Sequence, residues 1–417
     1  MRQTADLSSQ IEQYLPRQLL DLVKDAGRKV DTLGHELYLV GGVVRDLFLN
    51  RPNLDFDLVV EGDAIELARE LANSGQASLI THTHFGTAKL CYASFSLDLT
   101  TARRETYARP GVLPTVQRGS ITDDLFRRDF SINAMALRLT HQRFGELIDP
   151  YKGKEDLDNH LIRVLHPKSF IDDATRILRA LRYEQRLKFE LEPETAKLLR
   201  HDVPMLDTIT GDRLRHELEL IMKENRPEQI LRRAGESGVI QKLHPSLKGN
   251  EWLAEKFDQA RQWSKQISLY PLYLCLLIYN LTEEENEQFL SHLNFPKKPA
   301  QAMRQTLYLK TQLHNLDKPH LKPSDIYQSL HTYTSTAIQT NLLASESLIT
   351  TQRLQSYLSR LRYVKSPLTG EDLMSMGVPP GPEVGNILKL AYDARLNEEI
   401  KTKEQAKRLI RSWRRNL

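Results

Sequence analysis

Cysteine is nearly absent from this sequence, because its 417 residues include only Cys91 and Cys275, which lie far apart. Two distant cysteines exclude a disulfide framework and a cysteine-based zinc site, and they favour a reducing compartment. Long apolar runs are also missing: the longest, near 271–281, is too short to span a bilayer and is typical of a buried helix. No apolar secretory segment is visible at the start of the chain. We therefore expect a cytoplasmic protein with no membrane partner.

A strong excess of one charge is missing as well. The net charge is +4 and the sequence pI is about 8.8, although 27% of the residues are charged. This small excess permits a nucleic-acid partner but does not indicate one, because it is equally typical of a solvated surface.

The chain divides into two regions of different character. Up to about residue 150, short predicted strands alternate with helices; after Lys154, proline and glycine become sparse and a period of 3.6 residues dominates. This change predicts an α+β fold, with a mixed sheet and helices in the head and an all-helical remainder. The predicted domains are a head over 1–150, a helical neck over 151–225, and a helical body and tail over 226–417.

Residues 37–64 carry the strongest chemical pattern. An apolar strand, Leu37–Val40, leads into Gly41-Gly42 and then into a short amphipathic helix that carries Arg45. A Gly-Gly turn before a helix lets backbone N–H groups approach a phosphate chain. Taken alone, the same dipeptide is commonly no more than a tight turn.

The strand predicted at 54–60 alternates acids with apolar residues, which places Asp55 and Asp57 on one face. Such a pair suits Mg²⁺, which takes oxygen ligands from one or two carboxylates and from substrate phosphates. An acid pair alone is more often a solvated strand edge, but a buried strand rarely carries two acids without a partner. Next to Gly41-Gly42, the pair predicts a metal clamp beside a phosphate site.

A third acid, Asp98, lies in a predicted strand at 95–100 where polar and apolar residues again alternate. Three carboxylates on adjacent strands can hold two Mg²⁺ ions about 3.5–4 Å apart. An ordinary residue of a sheet edge is an equally good interpretation of Asp98.

The segment 101–116 is polar and basic and is interrupted by prolines and a glycine, which predicts a surface loop. Loops of this length are often functional. Arg127 and Arg128 follow, at the start of a predicted strand or short helix. Arginine pairs are commonly solvated, but beside a phosphate site they are candidate nucleotide ligands.

A second pattern is a helix predicted over 172–187, which Asp172 would cap. Three arginines recur on it every third residue, so that neighbours in the series share a face; they are Arg176, Arg179 and Arg182. The simplest interpretation is a charged amphipathic helix in which Asp173 and Arg176 form an internal ion pair.

A sharper interpretation is recognition of a nucleotide base. The pairing edges of cytosine and adenine both present a ring-nitrogen acceptor beside an amino donor, and adjacent arginine and aspartate side chains offer complementary groups. Uracil and guanine carry a ring N–H at the equivalent place, which would leave the arginine facing a donor. An unpaired buried polar group costs about 1–3 kcal/mol, which is enough for selection. Asp173 and Arg176 are therefore predicted to select cytosine and adenine.

Together these stretches resemble the class II tRNA nucleotidyltransferases of the DNA polymerase β superfamily, which comprise the CCA-adding enzymes and their bacterial poly(A) polymerase relatives. The resemblance covers roughly residues 35–220 and implies a polymerase-β-like nucleotidyltransferase head. The matching motifs, in the family's order, are 41–46 with 55–57, then 128–134, 172–176 and 211–217. One departure is Asp172, where the family more often has Glu.

The resemblance implies a role for each matching residue in the head. Asp55 and Asp57 would bind the catalytic metals, and Gly42 and Arg45 would hold the triphosphate. Arg128 would contact the nucleotide.

The neighbouring motifs would complete the nucleotide site. Asp129 could contribute to ribose selection, and Asp173 and Arg176 would select the incoming base. Arg179 and Arg182 would support that base or its phosphates.

The resemblance also implies an activity, namely addition of the 3′-terminal CCA to tRNA from CTP and ATP with Mg²⁺ as cofactor. The loop at 101–116 resembles a flexible loop that the family needs for the final A, so a CC-only enzyme is not expected. An enzyme that adds only the terminal A and a poly(A) polymerase stay open as alternatives. A non-catalytic RNA- or nucleotide-binding relative and a small-molecule nucleotidyltransferase are further alternatives; the intact acid pair argues against the first, and the helical remainder against the second.

The helical remainder is expected to hold the acceptor and T arms of tRNA, as it does in the family. The basic C-terminal run suits a phosphate backbone, although such runs are more often solvated helix faces. His201 and Asp202 are expected in a surface turn, because a metal site needs further ligands. The oligomeric state is left open between monomer and homodimer.

Overall fold

The computed structural model describes residues 6–53, 55–75, 77–83, 86–93, 95–263 and 268–415. The side chains at 55, 74, 75, 414 and 415 fall outside this description, although their backbones are placed. Contacts between residues divide the chain into two compact units. The first is Met1–Glu217 with Glu236–Lys242, and the second is Leu218–Gly235 with Leu243–Leu417.

The strands of the described residues all lie in the first unit. In chain order they are β1 (Leu37–Val40), β2 (Asp55–Val60), β3 (Ser78–His82), β4 (Thr87–Cys91), β5 (Ser96–Thr101), β6 (Arg103–Thr106), β7 (Thr115–Arg118), β8 (Ala136–Arg138), β9 (Leu147–Ile148), β10 (Leu161–Ile162) and β11 (Glu190–Leu191). Seven of them form a mixed sheet in the order β3-β4-β5-β2-β1-β8-β9, in which β2 and β5 run parallel and the other neighbours antiparallel. The pairs β6–β7 and β10–β11 form small separate sheets.

The helices up to residue 222 precede the mostly helical remainder, and some of them pack against this sheet. In chain order they are α1 (Ser8–Tyr14), α2 (Arg17–Thr32), α3 (Gly42–Phe48), α4 (Ala64–Gly75), α5 (Ile121–Phe126), α6 (Gly153–Asp158), α7 (Ser169–Asp172), α8 (Thr175–Leu187), α9 (Pro193–Asp202) and α10 (Gly211–Met222). Helix α4 packs against β3, β4 and β5, and α2 packs against β1 and α4. Short 3₁₀ turns lie at Ser131–Asn133, His141–Arg143 and Val203–Thr208.

The register of β2 decides where the acids of the sheet lie. Phe56 and Leu58 are each 1% exposed, whereas Asp57 between them is half-buried. Asp57 lies directly beside Asp98 of β5 in the parallel register. Because successive strand residues face opposite sides, these two acids share the face away from Phe56 and Leu58.

An apolar cluster covers part of the acid-bearing face. It is formed by β1, β2, β8, α5 and neighbouring residues, namely Tyr38, Val40, Val59, Ala102, Ile121, Leu125, Ala134 and Ala136. Helix α5 begins with a capping box between Ser120 and Asp123. Because Val40 lies opposite Asp57 in the β1–β2 register, the Asp57 carboxylate lies at the border of this cluster.

The helices after α10 build most of the second unit. They are α11 (Pro227–Glu236), α12 (Ile240–Leu243), α13 (Glu251–Trp263), α14 (Leu269–Leu277), α15 (Glu283–His292), α16 (Lys297–Leu316), α17 (Pro323–Leu330), α18 (Ser335–Ala344), α19 (Leu348–Ser359), α20 (Gly370–Ser375), α21 (Pro382–Leu396) and α22 (Lys403–Arg415), with a 3₁₀ turn at Leu361–Tyr363. One apolar core of this unit lies around Leu330 and Ile338, and another around Ile387 and Ile410. In the described part of the chain, no helix has the length and apolar character that a bilayer crossing requires.

The predicted fold class is confirmed, since a mixed-sheet head precedes a mostly helical remainder. The domain boundaries at residues 150 and 225 stay predictions. The prediction of a surface loop at 101–116 is partly wrong, because the two ends of this region pair as the hairpin β6–β7.

The helix predicted over 172–187 is wrong at its start, because Asp172 ends α7 and α8 begins at Thr175. Asp173 lies between the two helices with an extended backbone, at φ −143° and ψ 98°. Its carboxylate accepts hydrogen bonds from the N–H and the hydroxyl of Thr175. The acid whose side chain accepts from the first residue of α8 is therefore Asp173 and not Asp172.

Gly27→Ala tests the packing of α2. A Cβ at Gly27 would lie 2.2 Å from the carbonyl oxygen of Leu139. Alanine favours a helix over glycine by about 1 kcal/mol, but we expect the clash to outweigh this gain, cost about 1–3 kcal/mol and lower Tm. Gly385→Ala on α21 is the matched control, because, apart from its own turns of helix backbone, no described atom lies within 4 Å of its Cβ position, and its Tm should rise. An unchanged or higher Tm for Gly27→Ala would contradict the packing of α2.

Candidate active site

The turn between β1 and α3 brings three groups of the site together. Gly41 has φ +76°, a conformation that glycine adopts without strain. A Cβ at this position would lie 2.7 Å from Nη1 of Arg128 and 3.7 Å from Oδ2 of Asp57. Because no side chain intervenes, the Gly41 backbone, Arg128 and Asp57 can contact one ligand together.

These groups line a cavity of about 820 Å³ in the first unit. Most of the predicted site residues line it: Gly41, Gly42, Arg45, Asp57, Arg128, Asp129, Asp173, Arg176 and Arg179. Asp98 and Arg182 lie outside the lining. Residues that had no predicted individual role also line it, among them Asn53, Glu105, Tyr107, Asn133, Tyr183, Arg186, Arg213, His216 and Glu217.

The predicted metal ligands are only partly described. Asp55 lies on β2 in register with Ser96, but its side chain is outside the described residues. The carboxylate of Asp98 pairs with Nζ of Lys89 at 2.8 Å. Among the described side chains, no group of three His, Cys, Asp or Glu residues is arranged to hold a metal ion. The metal-binding roles of Asp55, Asp57 and Asp98 stay predictions.

Arg45 is buried, with 2% of its surface exposed. Its Nε and Nη2 donate to the Asp46 carboxylate at 2.9 and 2.8 Å, and its Nη1 donates to Oδ1 of Asn133 at 2.6 Å. Burial alone would lower the pKa of Arg45, but the hydrogen bonds and charge of Asp46 raise it. Each guanidinium nitrogen already has a protein acceptor, so Arg45 orients Asn133, and its contact with a triphosphate stays a prediction.

Asp129 lies at the centre of the same buried network. Its Oδ1 accepts from Nδ2 of Asn133 at 3.0 Å, and its Oδ2 accepts from Nε and Nη2 of Arg179 at 2.9 and 2.6 Å. Burial alone would raise the pKa of Asp129, but Arg179 and Asn133 outweigh it and lower the pKa to about 2. Both oxygens are engaged within the protein, and a role in ribose selection stays a prediction.

The arginines of α8 join this network to α10. Arg179 and Arg182 approach the Glu217 carboxylate at 3.7 and 3.5 Å. The Tyr183 ring centroid lies between 5.2 and 5.8 Å from the Cζ atoms of three arginines, which are Arg45, Arg179 and Arg182. Cation–π contacts and ion pairs therefore hold α3, α8 and α10 together along the cavity wall.

Asp173 and Arg176 line the cavity but do not pair with each other, so the internal ion pair considered above is wrong. Asp173 instead pairs with Arg213 of α10 at 2.8 Å. Arg176 is 5% exposed and donates to Oγ of Ser169 at 2.7 Å and to the carbonyl oxygen of Arg127 at 2.6 Å. Each terminal guanidinium nitrogen carries two N–H groups, so Arg176 keeps donors for a ligand.

Buried ion pairs tie the hairpin β6–β7 to the cavity. Glu105 of β6 approaches Arg127 at 3.4 Å and accepts from the Tyr107 hydroxyl at 2.9 Å. The fully buried Asp124 accepts from Arg127 at 2.7 Å and from Arg128 at 3.0 Å. Burial alone would raise the pKa of Asp124, but Arg128 and Arg127 lower it. Arg128 is therefore oriented by a charged acid before any ligand arrives.

The cavity offers two sets of groups with different chemistry. Asp57, Arg128 and the Gly41 backbone suit an anionic chain that carries a hard metal ion. Asp173 and Arg176 suit a flat polar ring with an acceptor beside a donor.

Arg213 had no predicted role, because its partner Asp173 is 40 residues away in the sequence. The signal that could have found it was its place in the matching motif at 211–217.

Three family models match the chain in succession. They are “Poly A polymerase head domain” over residues 37–163, “Probable RNA and SrmB- binding site of polymerase A” over 188–250, and “tRNA nucleotidyltransferase domain 2” over 262–409.

The chain is similar to named proteins over most of its length. It is 33% identical to the A-adding tRNA nucleotidyltransferase of Halalkalibacterium halodurans, a match that covers 94% of this chain and 92% of the relative. It is 32% identical to the A-adding tRNA nucleotidyltransferase of Geobacter sulfurreducens over 96% of this chain but 47% of the relative, so it spans about half the length of that curated relative. Among solved structures, it is similar to the Thermotoga maritima CCA-adding enzyme complexed with tRNA-CCA, with a TM-score of 0.77 and 30% identity over 99% of this chain and 100% of that chain.

Asp129→Asn tests the buried network through its dependence on pH. The pKa of Asp129 is about 2 in the folded protein and about 3.9 in an unfolded chain, so its charge stabilises the fold above about pH 4 and this contribution is lost as the pH falls through about 2. We expect Asp129→Asn to lower the free energy of unfolding at neutral pH. The difference from the wild type should shrink as the pH falls from about 4 towards 2.

Denaturant unfolding at a series of pH values measures this difference. Asp63→Asn is the matched control, because Asp63 is exposed and its partner Arg118 is exposed as well, and it should have little effect at any pH. A difference for Asp129→Asn that stays constant down to about pH 2 would contradict the assigned pKa.

Proposed function

Because this chain belongs to the tRNA nucleotidyltransferase family, we propose that it completes the 3′ end of tRNA by adding CCA from CTP and ATP with release of pyrophosphate. The observation that carries the proposal is the single cavity that Asp57, Arg128 and the Gly41 backbone share with Asp173 and Arg176. The first three groups suit a metal-bound triphosphate, and the last two suit a base. A cavity of about 820 Å³ has room for a nucleotide.

The residues present fit magnesium. The half-buried Asp57 carboxylate lies beside the space that Gly41 leaves open, and a carboxylate oxygen there is a ligand that Mg²⁺ favours. In this proposal Asp55, two residues earlier on β2, is the second ligand. Bound Mg²⁺ lowers the pKa of an attacking hydroxyl and neutralises a leaving pyrophosphate.

The protein contributes mainly positioning and fixed charge. Arg128 and the backbone at Gly41 and Gly42 hold the triphosphate, so that the 3′-hydroxyl of the RNA attacks the α-phosphate in line. Arg128 is already oriented by Asp124 at 3.0 Å. Groups that are fixed before the reaction need no reorganisation during it, which is how such sites lower a barrier.

Asp173 and Arg176 select the base. An N–H of Arg176 donates to the ring nitrogen, and the Asp173 carboxylate accepts from the exocyclic amine. Cytosine and adenine present this pair of groups, whereas uracil and guanine present a ring N–H that leaves Arg176 without an acceptor.

A second candidate is addition of the terminal A alone, to tRNA that already ends in CC. The names of the relatives from Halalkalibacterium halodurans and Geobacter sulfurreducens favour it, since both are A-adding enzymes. The similar Thermotoga maritima structure favours the full reaction, since it is of a CCA-adding enzyme. Both candidates use the same groups of the cavity.

The proposed setting is the cytoplasm, with tRNA, CTP and ATP as partners and the chain acting as a monomer or homodimer. Cys91 and Cys275 are free thiols in the structure, which suits a reducing compartment.

Incorporation assays on three tRNA transcripts separate the candidates. The transcripts end before CCA, after the first C and after CC, and each is given CTP alone, ATP alone or both. We expect CTP to be added to the first two and ATP only after CC, which yields the complete end. Addition of ATP to tRNA-CC without any incorporation of CTP would select the second candidate. No incorporation on any transcript would contradict both.

Asp57→Asn tests the metal clamp. Loss of one carboxylate charge should lower the rate of nucleotide incorporation by about 100-fold or more, because charge stabilisation in the transition state is lost. tRNA binding, measured by fluorescence anisotropy, should be little changed. Asp63→Asn is the control, because Asp63 is exposed and does not line the cavity. Full activity of Asp57→Asn would contradict the metal-binding role that we propose for Asp57.

A further inference from the structure

We propose that Arg213 is a positioning residue that sets base selectivity by orienting the Asp173 carboxylate. The proposal rests on the proposed function and extends it to a residue outside the predicted nucleotide site. Arg213 acts through Asp173, and in this proposal it does not itself touch the base.

The geometry at Asp173 is asymmetric. Its Oδ1 accepts three hydrogen bonds, from Thr175 N–H at 3.0 Å, from the Thr175 hydroxyl at 2.7 Å and from Nη2 of Arg213 at 2.8 Å. In the described part of the chain, Oδ2 receives no hydrogen bond. With Oδ1 saturated, Oδ2 is the oxygen that remains for a donor on a ligand in the cavity that Asp173 lines.

Thr175 alone does not fix this carboxylate against the rest of the cavity. It lies two residues from Asp173, so its bonds are local to the start of α8 and move with that helix. Arg213 comes from α10, and the same helix carries Glu217, which pairs with Arg179 and Arg182 of α8. The Arg213–Asp173 pair thereby ties the orientation of the carboxylate to two helices that the buried network holds together.

This orientation bears directly on the exocyclic amine of the base. With Oδ1 pinned, Oδ2 can accept from the amine while Arg176 donates to the neighbouring ring nitrogen. Without Arg213, the carboxylate can rotate about its χ angles and turn towards solvent, since the side chain is 22% exposed. The amine would then lose its acceptor, whereas a base that has no amine would lose nothing.

The test compares two substrates that differ only in this amine, ATP and purine riboside 5′-triphosphate, for addition to tRNA ending in CC. We expect the full-length wild type to prefer ATP in kcat/KM. Arg213→Ala should reduce this preference by about tenfold or more, mainly through a lower kcat/KM for ATP, because the loss of one buried hydrogen bond is of this size. Arg213→Lys keeps one charged donor and should restore part of the preference.

Two controls separate positioning from a general structural effect. Arg28→Ala removes an ion-paired arginine of α2 that does not line the cavity, and it should leave the preference unchanged. In the double variant Asp173→Asn/Arg213→Ala, the two effects on the preference should not add, because Arg213 acts through Asp173.

Several results would overturn the proposal. One is an equal loss of kcat/KM for both triphosphates in Arg213→Ala, which would indicate a merely structural role. Others are an unchanged preference, or full additivity with Asp173→Asn. If Arg213→Ala does not fold, the same comparison is made with Arg213→Lys. A preference of Arg213→Lys for ATP equal to that of the wild type would then overturn the proposal. A wild type that adds neither triphosphate to tRNA-CC would contradict the proposed function itself.

Discussion

Burial of the Asp129 carboxylate is the constraint on which the cavity of the first unit depends. A buried charge is costly unless it is paired and hydrogen-bonded, and Arg179 and Asn133 meet this need from α8 and from a 3₁₀ turn. The contacts continue from Asn133 to Arg45 on α3 and from Arg179 to Glu217 on α10. These elements cannot separate without leaving a buried charge unpaired, so the wall of the cavity is held in one arrangement.

This network divides the arginines of the cavity into two groups. Arg45 donates from all three of its guanidinium nitrogens to Asp46 and Asn133, and it keeps the wall in place. Arg128 and Arg176 are each oriented by protein acceptors but keep further N–H groups for a ligand. An arginine-rich cavity can therefore bind an anionic nucleotide at a fixed place without all its cations competing for the phosphates.

Local features of the sequence were sufficient to predict the centre of the site and not its supports. The Gly41-Gly42 turn and the alternation around Asp57 are local patterns, and both lie in the cavity as expected.

The elements that were missed lack such patterns. The edge strand β3 has side chains that are all exposed or half-buried, and the charged hairpin β6–β7 has no apolar pattern, so neither was predicted. The partners of Arg45 and Arg179 in the network lie 88 and 50 residues away, and no local spacing reveals them. The prediction assigned the cap of the helix expected over 172–187 to Asp172, and the break between α7 and α8, which makes Asp173 the acid that accepts from Thr175, has no local signal in the sequence.

The most direct test of the central claim is a crystal structure of the full chain with Mg²⁺ and a non-hydrolysable analogue of CTP. We expect the triphosphate to lie against Arg128 and the backbone at Gly41, with its metal on Asp57, and the base to face Asp173 and Arg176. A nucleotide bound outside this cavity, or one bound with its base beside Asp57 and its phosphates beside Asp173, would contradict this expectation.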